Sequence, residues 1–253
     1  MFNTAAFVMV GAVAVSANVV AIPKLLAYSH YYDDTHTRKI ELYAALAKGT
    51  FLAVVASAVG AYCVPKVEGL PSPFLESVIH LRPTFDIFWS QLRPTLIDSL
   101  YVLLGLVFLH LIFVRHHISA SRYFLMPLST KLLLEGVVEE IVYRWGLVSG
   151  IARILNAEWL DVTHAGVLAV ILAAVGSSLS HISDLSRLHF DRINMALLAV
   201  ILVNFWAALC YGWLYWKYDL ITVILCHMLV IWISVLTYKA RPTTLFAASY
   251  EHP

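Results

Sequence analysis

Apolar runs long enough to cross a bilayer follow one another along this 253-residue chain, and that recurrence limits its fold more than any other feature. Spanning the hydrocarbon core takes about 20 predominantly apolar residues of helix. Runs of that kind cover residues 3–26, 42–64, 96–114, 130–155, 163–181, 193–216 and 220–238. The chain is 60% hydrophobic and only 13% charged, where a soluble domain has about a quarter of its residues charged. The fold class expected is all-α: a polytopic helical membrane protein with about seven transmembrane helices.

What separates the runs fits that class. His30, Asp33, Asp34, His36, Arg38 and Lys39 form a polar connector after the first run. Pro65, Pro71, Pro73, Pro83 and Pro94 punctuate the stretch after the second, so it cannot be one continuous span. Within it, residues 77–89 read as a short interfacial helix, since Phe85, Phe88 and Trp89 suit that depth. The first Lys is Lys24, after the first apolar run, so that run reads as a retained span and not a cleaved signal. Cys63, Cys210 and Cys226 lie in or at the end of apolar runs and read as small buried hydrophobes. A net charge of +1 gives no basic footprint for nucleic acid.

The positive-inside rule orients the spans. With the N-terminus outside, Lys24, Arg38, Lys39, Arg115, Arg122, Lys131, Arg187, Arg192, Lys239 and Arg241 face the cytoplasm. Lys66, Arg82, Arg93, Arg153 and Lys217 are left outside. The expectation is a multi-pass cell-membrane protein with an outer N-terminus and a cytoplasmic C-terminus.

Chemistry concentrates in the fourth run. The sequence LLLEGVVEEIVYRWG (132–146) sets Glu139, Glu140 and Arg144 inside an apolar segment. A charged side chain near the bilayer centre costs about 2.5–3.5 kcal/mol on insertion scales, so such residues usually serve a function. Glu140 and Arg144 are spaced i, i+4 with the acid first, the better order for a pair on one helix face. Glu139 points away from that face and has no such cation in its own helix; its i−4 neighbour is Glu135. A carboxylate in an apolar setting beside a like charge suits general-base work on water. The blander alternative is that it hydrogen-bonds another helix. His181 ends the fifth run, and His227 has no polar neighbour in sequence, so its partner must lie on another helix. A lone intramembrane His is often only an interhelical hydrogen-bond donor. His110 reads as structural.

The ordered set Glu139-Glu140-x-x-x-Arg144, His181 and His227 resembles the CPBP family, the CAAX prenyl proteases and bacteriocin-processing enzymes. EEIVYRWGL is similar to the family's first motif, with an aromatic before the Arg and a Gly soon after. VGSSLSHISDL stands where the family has Phe-x-x-x-His. The stretch from Asn204 to Val230 resembles its last helix pair, with Gly212, Tyr215 and His227 at motif positions. The resemblance covers residues 131–238. It divides the chain into N-terminal membrane helices and connectors (1–130), a protease core of four helices (131–240) and a short polar tail (241–253).

The resemblance implies peptide-bond hydrolysis within the membrane. Glu139 matches the catalytic glutamate, which with His181 activates water. His227 matches the residue that stabilises the tetrahedral oxyanion, and Glu140 and Arg144 become supporting residues. The implied partners are the bilayer and a peptide or protein substrate, prenylated at its C-terminus in the family's best-known case. No cofactor is implied. Two departures stand out: Ser177 replaces the Phe of the second motif, and Ile231 replaces the Asn or Asp four residues after His227. Losing one oxyanion donor can cost roughly 10²–10³ in rate. Ser178, Ser180 or Asn204 are the candidates to replace it.

Other intramembrane proteases fit worse: there is no His-Glu-x-x-His, Gly-x-Ser-Gly or Gly-x-Gly-Asp. Glu139, His181 and His227 would also suit a divalent metal, since two His and a carboxylate is a known ligand set. A weak or inactive membrane scaffold or immunity protein is the alternative that Ile231 favours. A transporter ranks lowest, with no inverted repeat or matched broken helices.

Overall fold

The computed structural model describes residues 2–30, 38–67, 70, 72, 75–77, 80, 85–113, 127–181 and 193–239. Among them there is no strand: the described chain is helical, as expected for a membrane protein. Helix α1 (Thr4–His30) is followed by α2 (Arg38–Cys63) and a single 3₁₀ turn, Val64–Lys66. Helix α3 is Phe85–Phe113. Residues 128–158 then form one long rod, built from α4 (Leu128–Leu133), two π-helical stretches (Leu134–Glu139 and Ile141–Val148) and α5 (Ser149–Glu158). Helices α6 (Val162–Ser180), α7 (Ile193–Lys217) and α8 (Leu220–Lys239) complete the fold.

A helix therefore stands at each of the seven apolar runs. Among the described residues, three segments, Thr4–Leu25, Tyr43–Lys66 and Val162–Ser180, are long and apolar enough to cross a membrane by themselves; Thr95–Leu109 and Leu220–Leu236 are apolar but shorter. The molecule is a membrane protein on this patterning. Valines, leucines and aromatics such as Val8, Phe51, Leu104 and Trp232 face outward, as lipid-facing positions should.

One sequence expectation gives way. Trp89 and Pro94 are the fifth and tenth residues of α3, so residues 85–89 belong to that helix and not to a separate one over 77–89. Of the proposed interfacial helix, residues 78, 79 and 81–84 lie outside the described residues, as do Asp33, Asp34 and His36 of the first connector. The three cysteines are free, with Cys63 and Cys226 buried, in accord with their reading as small hydrophobes.

The rod is the centre of the molecule. It packs against α1 and α2 and also against α6, α7 and α8, while α3 lies on α7 and α8. Small residues set the closeness of these contacts. A Cβ on Gly146 would stand 2.8 Å from Ala56 Cβ and 3.0 Å from its Cα, so α2 and the rod meet backbone to backbone. Beside that contact Trp145 is buried and donates from its indole N–H to the Ser57 carbonyl at 3.3 Å. Two aspartates start helices: Asp161 accepts from the backbone N–H groups of Thr163 and His164, and buried Asp219 accepts from that of Thr222 at 2.8 Å.

Candidate active site

Glu140 is fully buried, and two groups converge on its carboxylate. Arg144 Nε forms an ion pair with Oε2 at 3.1 Å, one turn along the rod. His227 Nδ1 from α8 lies 2.6 Å from Oε1. A carboxylate already paired with a guanidinium accepts, so Nδ1 carries the proton it donates, and Nε2 is left for other work. Arg144 also donates to the Ala208 carbonyl of α7 at 3.4 Å. Tyr211, one turn further along α7, stacks on the His227 ring at 4.3 Å between centroids with 28° between planes. The Arg144 guanidinium carbon sits 5.5 Å from the same tyrosine ring. Glu140, His227, Tyr211 and Arg144 thus close a ring of contacts drawn from three helices.

Glu139 lies beside this ring, partly buried, at the end of the first π-helical stretch. Its charged neighbours are His181, Glu135, His227 and Glu140. His181 caps the end of α6. Between them, Tyr143 Oη donates to Ser180 Oγ at 2.7 Å, linking the turn after Glu139 to the residue before His181. The five residues singled out in the sequence therefore fall in one region, on the rod, α6 and α8.

The replacement donors behave differently from expectation. Ser178 and Ser180 spend their hydroxyl protons on their own helix, on the carbonyls of Ala174 and Ser177, each at 2.7 Å. Asn204 donates to Val200 O at 2.9 Å, also within its helix. Short polar side chains on an apolar helix take the nearest carbonyl, and that is one turn back. Ile231 is buried, and a Cβ on Gly136 would stand 3.7 Å from its Cδ1. It packs α8 onto the rod one turn beyond His227.

Sequence reasoning missed Tyr211 and Ser99. Ser99 Oγ on α3 lies 2.9 Å from the Sγ of Cys226, the residue before His227. One signal was available: Asp98 and Ser99 interrupt the third apolar run, as the acids interrupt the fourth. Tyr211 carries no such signal, because a tyrosine in an apolar helix is unremarkable until its neighbour is known. Among the described residues, no three His, Cys, Asp or Glu side chains converge as a cation's ligands would.

Residues 121–233 match the family model of the type II CAAX prenyl endopeptidase Rce1-like proteins. This stretch is similar to the Rce1-like domains of the CAAX protease family. The match covers the rod and α6 and α7, and reaches into α8 beyond His227. It bears out the resemblance drawn from the motifs. No curated protein and no solved structure matches the chain. Outside the Rce1-like domain, α1 and α2 still form one wall against its central helix.

Proposed function

We propose that the Rce1-like domain is an intramembrane endopeptidase whose nucleophile is a water activated by Glu139 with His181. Glu139 takes a proton from the water, and the resulting hydroxide attacks the carbonyl carbon of the scissile peptide. The C=O electron pair moves onto oxygen, where the Nε2–H of protonated His227 meets the developing negative charge. Collapse of the tetrahedral intermediate breaks the C–N bond, and the leaving amine takes the proton from the Glu139–His181 pair. An acid–base pair makes the nucleophile and a fixed donor lowers the barrier.

The observation that carries this reading is the His227–Glu140 contact at 2.6 Å. It joins the first and last motifs of the domain and commits Nδ1, which leaves Nε2 as the ring nitrogen that can face the reaction. Glu140 and Arg144 support His227 and take no part in bond breaking. The substrate is a peptide or protein at the membrane, with a lipidated C-terminus as the family's own example. With the N-terminus outside, the site lies in the cytoplasmic half of the bilayer. The scheme uses no metal.

Peptide termini in membranes from cells carrying the native chain or Glu139→Gln, each with and without a chelator, test this. Termini made by the native chain should vanish with Glu139→Gln, while the variant still accumulates, and should survive the chelator. Loss with the chelator points to a divalent cation held by Glu139, His181 and His227. The burial of Ile231 among apolar neighbours favours a second reading, a scaffold without activity; identical termini from both chains would select it.

A further inference from the structure

We propose that Tyr211 is a positioning residue for His227: its ring holds the imidazole edge-on to Glu140 so that Nε2 keeps one direction. The proposal rests on His227 acting in the cleavage reaction set out above. A single hydrogen bond from Nδ1 fixes one point of the imidazole but leaves the plane free to swing about that bond. The stacked tyrosine removes that freedom, since offset stacking sets both the separation and the tilt of two rings. At 4.3 Å and 28°, the Tyr211 and His227 rings meet that description.

Tyr211 can act as a wall only if it is itself held, and its burial, one ring contact and two ties on its turn of α7 hold it. It is buried, with 2% of its surface exposed. The Arg144 guanidinium lies 5.5 Å from its ring, within the range of cation–π attraction. Arg144 also bonds the Ala208 carbonyl one turn before it, which ties that turn of α7 to the rod. The next residue, Gly212, lets α7 approach α6 so closely that a Cβ there would stand 2.7 Å from Val170 Cγ1. Arg144 thus serves the site twice, once through Glu140 and once through Tyr211.

Tyr215 supplies the control. It is one turn along the same helix and equally buried, but its hydroxyl pairs with Ser149 Oγ at 2.7 Å. The experiment compares the native chain, Tyr211→Phe, Tyr211→Leu and Tyr215→Leu in nanodiscs, with histidine labelled by ¹⁵N and the His227 signals identified by His227→Gln. The native Nδ1–H proton should resonate far downfield, as a bond to a carboxylate requires. Tyr211→Phe should keep that signal and the native kcat. Tyr211→Leu should lose or broaden it and lower kcat at least tenfold with KM within twofold. Tyr215→Leu should lower thermal stability and leave the signal in place.

A Tyr211→Leu chain with the native signal and kcat overturns the proposal. So does a Tyr211→Phe chain as impaired as Tyr211→Leu, or a Tyr215→Leu chain that loses the signal equally. If His227→Gln cleaves normally, the cleavage scheme fails instead, while the spectra still report whether Tyr211 holds the ring.

Discussion

At the scale of single residues, the buried acid has more partners than its position in the sequence suggested. The i, i+4 spacing made the Glu140–Arg144 pair legible, and the pair is present at 3.1 Å. That His227 needed a partner on another helix was legible too. Which partner was not: the choice of Glu140 over Glu139 depends on how α8 lies across the rod, and no local pattern encodes a crossing of helices. Glu140→Gln should therefore do two things. Leaving Arg144 buried and unpaired should cost about 3–5 kcal/mol and lower abundance in membranes. Under the proposed scheme the remaining folded protein should also cleave more slowly, because an amide accepts the His227 Nδ1–H bond more weakly than a carboxylate does. Quantitative blotting and cleavage per folded molecule separate the two; unchanged cleavage per molecule would reduce Glu140 to a structural role.

At the scale of elements, the apolar runs foretold where helices stand but not how they are wound. The two π-helical stretches fall on residues 134–139 and 141–148, bracketing Glu140, and nothing in LLLEGVVEEIVYRWG announces them. Such turns are rare and often occur at functional sites, because the wider turn leaves side chains out of the usual α-helical rows. Proline misled in the other direction, since α3 runs through Pro94. Helix starts are better behaved. Asp161 caps α6 in the ordinary way, and its bond with the His164 side chain holds its carboxyl below the usual carboxylate range. A carboxyl so lowered contributes stability above its unfolded value of about 3.9 and loses it as pH falls through the folded one. Thermal unfolding in detergent across acid pH should show that loss in the native chain and not in Asp161→Asn, which keeps the cap but cannot titrate. Equal acid sensitivity in both would place the effect elsewhere.

For the molecule as a whole, the match to a known family stops at residue 121, but the packing does not. Helices α1 and α2 cover one side of the central rod, with Gly146 against Ala56 and the Trp145 indole on the Ser57 carbonyl. A chain begun at residue 127 should therefore fail to accumulate in membranes, and co-expressing residues 1–126 as a separate chain should restore it; stable accumulation of the fragment alone would show the N-terminal helices to be dispensable. The split between residues 1–130 and 131–240 suggested by the motifs follows chemistry, whereas the core follows the rod. Synthesis adds an order to this arrangement. When the ribosome delivers residues 128–158, α1 and α2 are already in the bilayer, but α7 and α8 have not been made. His227, Tyr211 and the Ala208 carbonyl are all still to come, and for that interval Glu140 and Arg144 have only each other. Their one-turn spacing lets these two charges enter lipid as a neutral pair and trade that solitary pairing for the completed site once the last two helices arrive.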